Sequence, residues 1–195
     1  MSKKLHIKII LGSIRDGRFS EKIGPWVEKQ VQKNTTCTYE VLDLREYPLP
    51  FFDQKETPSS KKKPYTNEVV AQWTEKIKEA DAYIFVTPEY DRSIPGVLKN
   101  AVDWVYPEWN KKPAAFVGYG TVGGARAIEH LRMIAVELQM ATVRQAVNVF
   151  AHWTLQDEKG DIQPGALDQF ERGAQTMLDQ LLWWAQALKT AREEA

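Results

Sequence analysis

The chain has 195 residues, of which 43% are hydrophobic and 27% are charged. These proportions are typical of one globular domain and exclude a long disordered, collagen-like or coiled-coil chain. The 26 basic residues balance the 26 acidic ones, so no overall field would hold the protein on nucleic acid or an anionic membrane, and we expect neither partner. Cys37 is the single cysteine, which excludes an internal disulfide. Together with the lack of a signal-peptide pattern, it predicts a cytoplasmic protein.

Short apolar segments alternate with helical patterns along the chain. The predicted strands are residues 5–11, 36–42, 82–86, 114–117 and 142–150. The predicted helices begin at Ser20 and at Thr66 and then cover 97–105, 125–139 and 165–192. Ser20 is predicted to cap the first helix, and Glu68 to take part in the cap of the second.

This alternation indicates an α/β fold with a doubly wound, five-stranded parallel sheet, because right-handed crossovers place helices on both of its faces. Ligands of such folds bind beyond the carboxyl ends of the strands. We therefore expect three segments to converge, namely a first loop (12–20), a second loop (87–96) and a third loop (118–124).

The first loop, GSIRDGRFS, suits a single phosphate group. Two hydroxyls and two guanidinium groups flank a helix start, where unpaired amides and a partial positive charge attract anions. The loop lacks the lysine motif of triphosphate sites and the glycine pattern of dinucleotide sites. The alternative is an ordinary strand-to-helix turn with solvated arginines.

The second and third loops favour contact with a flat ligand. Two prolines and a glycine in TPEYDRSIPG predict an extended backbone whose unpaired amides and carbonyls would read the rim of a heteroaromatic ring. Four glycines in GYGTVGG permit positive φ angles and close approach. A rigid connection and tight strand-to-helix packing, respectively, are the alternatives.

The segments GSIRDGRFS, TPEYDRSIPGVLKNAVDW and GYGTVGGARAIEHLR together resemble the NADPH-dependent FMN reductase family of flavodoxin-like proteins. The resemblance extends over residues 5–131. It implies strand order 2-1-3-4-5, one FMN-binding domain over 1–195, bound FMN with NADPH or NADH as electron donor, and usually a homodimer or homotetramer.

The resemblance also implies the cofactor-binding residues. Those that would hold the FMN phosphate are Ser13, Arg15, Arg18, Phe19 and Ser20. Those that would line the isoalloxazine edge are Pro88, Glu89, Tyr90 and Asp91, with Ser93 close by. Those that would approach from the other side are Gly118, Tyr119 and Gly120. The family usually has asparagine in place of Asp91, whose carboxylate would oppose the negative charge of reduced flavin, and it often has serine in place of Gly118 and Tyr119.

The implied activity is hydride transfer from NAD(P)H to flavin N5, followed by electron transfer to a quinone, azo compound, free flavin or metal-ion acceptor in a ping-pong cycle. No side chain is required as a catalytic acid or base. A flavodoxin-type electron carrier and an FMN-binding regulatory module without turnover are the alternatives. The three histidines lack metal-ligand spacing, so no metal site is expected. Lys61 to Lys63 predict a solvated loop, and Trp109 is left open between core, interface and acceptor pocket.

Overall fold

The computed structural model describes residues 4–61 and 64–194. Lys62 and Lys63, in the predicted solvated loop, lie outside the described residues. The described strands are β1 (Leu5–Leu11), β2 (Cys37–Asp43), β3 (Ala82–Pro88), β4 (Pro113–Gly120), β5 (Ala141–Thr142) and β6 (Val147–Phe150). They form one parallel sheet in the order β2-β1-β3-β4-β5, and β6 pairs with β4 beyond β5. The predicted fold class and strand order are confirmed.

Helices cover both faces of this sheet. They are α1 (Ser20–Gln32), α2 (Glu68–Glu79), α3 (Gly96–Asp103), α4 (Ala125–Glu137) and α5 (Glu171–Glu193). Helices α1 and α5 pack on one face, and α2, α3 and α4 pack on the other. Every residue of β3 is buried, because a central strand under two helical layers has no solvent-facing side. Among residues 4–61 and 64–194, no helix has the length and apolar character needed to cross a bilayer.

The predicted fifth strand, 142–150, is wrong as a continuous element. Thr142 pairs with Ala114 and Val147 with Val117, so the outer chain holds two more residues than β4 over the same stretch and bulges outward. Arg132 fixes the bulge, because its guanidinium donates to the carbonyl oxygens of residues 143 and 144 at 2.7 and 3.0 Å. Side-chain hydrogen bonds thus replace sheet hydrogen bonds there.

One predicted helix cap and two predicted helix starts are also wrong. Helix α1 begins at Ser20 as predicted, but Ser20 makes no capping hydrogen bond. Helix α2 begins two residues later than predicted, and Asn67 caps it by accepting from the Val70 amide at 3.1 Å. Helix α5 begins at Glu171 and not at 165, because Gly165 has a φ of +76° that no α-helix admits.

Candidate functional site

The three loops meet at the carboxyl ends of β1, β3 and β4. The hydroxyls of Ser13 and Tyr90 lie 2.8 Å apart and join the first loop to the second. The rings of Phe19 and Tyr119 pack edge to face with centroids 5.2 Å apart. The Glu89 amide donates to the Tyr119 carbonyl at 3.1 Å. The expected convergence is therefore present.

The first loop leaves backbone donors free. Within the described part of the chain, no backbone carbonyl accepts from the amides of Ser13, Gly17, Phe19 or Ser20. Arg15 is exposed at the surface of the loop. Free amides beside a helix start and an exposed guanidinium are the groups that an anionic phosphate requires.

Arg18 holds the first loop in place through its buried side chain. Its guanidinium is buried, donates to Asp43 at 2.7 Å and also contacts the Ser13 carbonyl. The pKa of Arg18 is raised, chiefly because Asp43 accepts its hydrogen bonds. Arg45 donates to the carbonyls of Ile14 and Arg15 at 3.2 and 2.7 Å. Two arginines thus fix the loop, and the Arg18 side chain points at Asp43.

Unpartnered polar atoms cluster where α1 begins. The hydroxyls of Ser20 and Tyr119 are buried next to each other, and neither makes a hydrogen bond of good geometry among residues 4–61 and 64–194. Burial raises the pKa of Tyr119 to about 12, against the opposite effect of the neighbouring Ser20 hydroxyl and amide. The Nδ1 atom of His152 is likewise buried and unpartnered, and its ring lies 4.6 Å from that of Phe19.

Each unpaired buried hydroxyl costs about 1 to 3 kcal/mol. Such atoms in a native protein usually mark a missing ligand or water. Hydroxyl donors, free amides and Arg15 together fit the phosphate group of FMN. His152 was not predicted, because it follows β6 in the chain and only the fold brings it to Phe19; no local motif marks it.

The second loop is not extended as predicted. Tyr90 and Ser93 exchange two backbone hydrogen bonds of 2.9 Å, and the two residues between them have positive φ angles, +48° at Asp91 and +69° at Arg92. This is the geometry of a tight hairpin turn. Short Asn and Asp side chains tolerate positive φ better than most, so Asp91 suits its place in this turn. Asp91 is exposed at the tip.

The second loop is tied to α4 by two side chains. The Glu89 carboxylate accepts from the Arg126 amide at 3.0 Å and contacts its guanidinium. Ser93 lies 2.8 Å from Nδ1 of His130. The carboxylate of Glu89 therefore faces the helix start, and Pro88 ends the buried strand β3.

The third loop divides into strand and turn. Gly118 and Tyr119 belong to β4, so the turn begins only after Gly120. A Cβ at Gly118 would lie 2.7 Å from the Gly123 carbonyl oxygen and 2.8 Å from Ile128. Tight strand-to-helix packing thus requires glycine at 118. Gly120, with φ of +142°, faces Glu89 of the second loop.

Trp109, which the sequence left open between core, interface and acceptor pocket, is fully buried. Its ring packs against that of Tyr83 at a centroid distance of 4.7 Å, which assigns it to the core.

One cluster in the described residues has the composition of a metal site. Ligand atoms of His6, Glu40 and Glu79 lie within 4.8 Å of one another. The Lys8 ammonium is 2.7 Å from Glu79 and also contacts Glu40, and Lys76 donates to Glu40 at 2.6 Å, so two lysines already neutralise these two carboxylates.

A doubly wound sheet with three loops converging at its carboxyl edge is the architecture of flavodoxin-like proteins. The family model for NADPH-dependent FMN reductases matches residues 5–154. The chain belongs to this family, and is thus an oxidoreductase whose cofactors are FMN and NAD(P)H.

Named relatives agree with this assignment. An NAD(P)H-dependent FMN reductase of Schizosaccharomyces pombe is 39% identical over 134 residues, which cover 69% of this chain and 67% of the relative. A quinone reductase of Escherichia coli is 36% identical over 145 residues, 71% of this chain and 73% of the relative. The solved flavoenzyme NAD(P)H:(acceptor) oxidoreductase of Paracoccus denitrificans shares the fold, with a TM-score of 0.71, 24% identity, and 94% and 98% of the two chains covered.

Proposed function

We propose that the protein binds FMN across the three loops, takes a hydride from NAD(P)H at flavin N5, and passes electrons to a quinone, azo compound, free flavin or metal ion. Donor and acceptor use one slot in turn, which makes the cycle ping-pong. The observation that carries this proposal is the cluster of unpartnered Ser20 and Tyr119 hydroxyls beside the free amides of the first loop. FMN supplies the two-electron chemistry, and the protein supplies position and electrostatics.

For the phosphate, the groups differ in how they contribute. Ser20 offers its hydroxyl, Phe19 its amide, and Arg15 an exposed guanidinium able to make a charge-assisted hydrogen bond. Ser13 shares its hydroxyl with Tyr90, so it also aligns the second loop. The exposed Arg15 would therefore contact the phosphate directly. The buried Arg18 would act indirectly, by holding the first loop through Asp43.

For the ring, the two other loops would act together, because the Glu89 amide donates to the Tyr119 carbonyl and holds them side by side. The backbone of Pro88, Glu89 and Tyr90 would face one edge, with Asp91 and Ser93 at the rim. The backbone of Gly118, Tyr119 and Gly120, at the end of β4, would approach the flavin beside them, while the Tyr119 hydroxyl lies next to Ser20 at the phosphate loop. Exposure of Asp91 at a turn tip lets solvent screen its charge, which weakens its opposition to reduced flavin.

A visible spectrum of the purified protein tests the proposal. We expect a yellow protein, as isolated or after FMN is added, that bleaches when NADPH is added anaerobically. Protein that stays colourless and does not retain FMN would refute it. Bleaching only after a separate reductase is added would instead identify an electron carrier, and a fully loaded protein without acceptor turnover would identify a regulatory module. Intersecting double-reciprocal lines would refute the shared slot.

We further propose one FMN-binding domain over 1–195, a cytoplasmic location and a homo-oligomer. A single cysteine supports a reducing compartment. Met133 and Val136 support association, because they lie one turn apart on α4 with 66% and 71% of their surface exposed. The aromatic residue at the end of α3, Trp104, gives no such support because it is buried. Light scattering on the purified protein would show a dimer or tetramer, and a monomer at all concentrations would refute association.

A further inference from the structure

A second pocket lies beside the proposed flavin site, between α4 and the bulge that follows β5. Its volume is about 410 Å³, which is within the usual range of about 300 to 1,000 Å³ for small-molecule sites. The proposed function leaves it unused. Its polar lining residues are Arg126, Glu129, Arg132, Arg144, Gln145 and Asn148.

Three arginines line this pocket against one carboxylate, that of Glu129, and Arg126 is already paired with Glu89. The guanidinium of Arg132 is held by two backbone carbonyls of the bulge and lies 5.0 Å above the ring of Phe116. The nearest carboxylate, that of Glu129, is 3.8 Å away. Burial lowers the pKa of Arg132, and the charge of Glu129 offsets only part of this effect. Arg144 is exposed, and it makes no ion pair among the residues that the structure describes.

The pocket adjoins the two loops proposed for the flavin ring. Arg126 binds Glu89 of the second loop through both its amide and its guanidinium. Asn148 donates its side-chain amide to the Gly123 carbonyl of the third loop at 2.9 Å. A dinucleotide whose nicotinamide stacks on the ring could therefore extend its other end along α4 into the pocket.

We propose that this pocket binds the 2′-phosphate of NADPH and so makes the enzyme prefer NADPH to NADH. Arginine forks match phosphate oxygens in geometry and charge, and NADH offers no group to pair with them. The inference rests on the proposed function, because it takes the nicotinamide to lie on FMN. Arg144 is the residue free to move onto the phosphate, and Arg132 is the fixed one.

The test compares Arg144→Gln with Arg172→Gln in the FMN-loaded protein. Arg172 is a matched control, since it is exposed on α5 without an ion pair in the described chain. We expect Arg144→Gln to lower kcat/KM for NADPH about tenfold, equivalent to about 1.4 kcal/mol, and to leave the value for NADH unchanged. The control should change neither. An equal loss with both donors, no loss, or a wild type without NADPH preference would overturn the inference.

A binding measurement separates this inference from the proposed function. Calorimetry with 2′,5′-ADP needs no hydride transfer; the wild type should bind it more tightly than 5′-AMP, and Arg144→Gln should remove that difference. If the protein oxidises NADPH but Arg144→Gln keeps the difference, only the pocket assignment fails. If 2′,5′-ADP binds through Arg144 but FMN is never reduced, only the proposed function fails. Loss of NADPH preference in Arg92→Gln alone would place the phosphate at the second loop and overturn the inference.

Discussion

Replacing Tyr119 with phenylalanine should stabilise the flavin-free protein and weaken its binding of FMN. The hydroxyl is buried without a partner, so its removal should relieve a desolvation cost of about 1 to 3 kcal/mol. For a chain of this size, each kcal/mol corresponds to a rise in Tm of about 2 to 4 °C. If the same hydroxyl donates to the FMN phosphate, its loss should raise the Kd for FMN about tenfold, or about 1.4 kcal/mol.

Tyr83→Phe is the matched control. The Tyr83 ring is also fully buried, but its hydroxyl donates to the Ile77 carbonyl at 2.6 Å. That substitution should destabilise the protein by about 0.5 to 1.5 kcal/mol and leave FMN affinity unchanged, since Tyr83 lies far from the three loops, at the amino end of β3.

Thermal unfolding of flavin-free protein and fluorescence titration with FMN measure the two effects separately. Opposite signs for the two tyrosines would support the assignment of the Tyr119 hydroxyl to a ligand. A Tyr119→Phe protein that is destabilised as much as Tyr83→Phe, or that binds FMN as the wild type does, would refute the reasoning.

Arg15→Ala should weaken FMN binding by about 1.5 to 3 kcal/mol, because a charge-assisted hydrogen bond is lost; an unchanged Kd in the same titration would argue that the phosphate lies elsewhere. Gly118→Ala should destabilise by about 1 to 3 kcal/mol in urea unfolding, since its methyl would lie 2.7 Å from the Gly123 oxygen. Gly96→Ala, with open space around its Cβ, should have little effect, and equal losses would contradict this account. Burial lowers the pKa of Lys112 to about 7, so its burial cost is fully present below pH 7 and is relieved as the pH rises towards the unfolded value. The free energy of unfolding of the wild type, relative to that of Lys112→Met, should therefore increase between about pH 7.5 and 9, by up to about 1.4 kcal/mol per pH unit. A difference in unfolding free energy that does not change with pH would contradict this prediction.

The fold was predictable wherever local sequence and burial agree. Strands β1, β3 and β4 are buried under helices on both sides, so each appears in the sequence as a short, mostly apolar run. The bulge after β5 could not be predicted, because the side chain that holds it, Arg132, belongs to α4, a separate element. Helix α2 begins where Asn67 accepts a hydrogen bond, and the nearby acidic residue Glu68 offered a competing signal.

The candidate site was likewise predictable only in part. The positions of the three loops follow from the order of the elements, but the partner of each side chain does not. Arg18 has the chemistry of a phosphate ligand, yet Asp43 at the end of β2 takes up its guanidinium. The turn at Asp91 depends on two positive φ angles. An Asn-Gly pair in the sequence would have predicted such a turn, but an Asp-Arg pair does not. His152 enters only through tertiary packing.

The bulge that interrupts the outermost chain also affects how the molecule meets copies of itself. A long, flat border strand exposes unpaired amides and carbonyls and is a template for aggregation. Here that border consists of a two-residue and a four-residue strand, separated by a kink that projects a charged arginine. Straightening the kink by deleting two residues would lengthen the border into a ladder on which further chains could add and fibrils could grow.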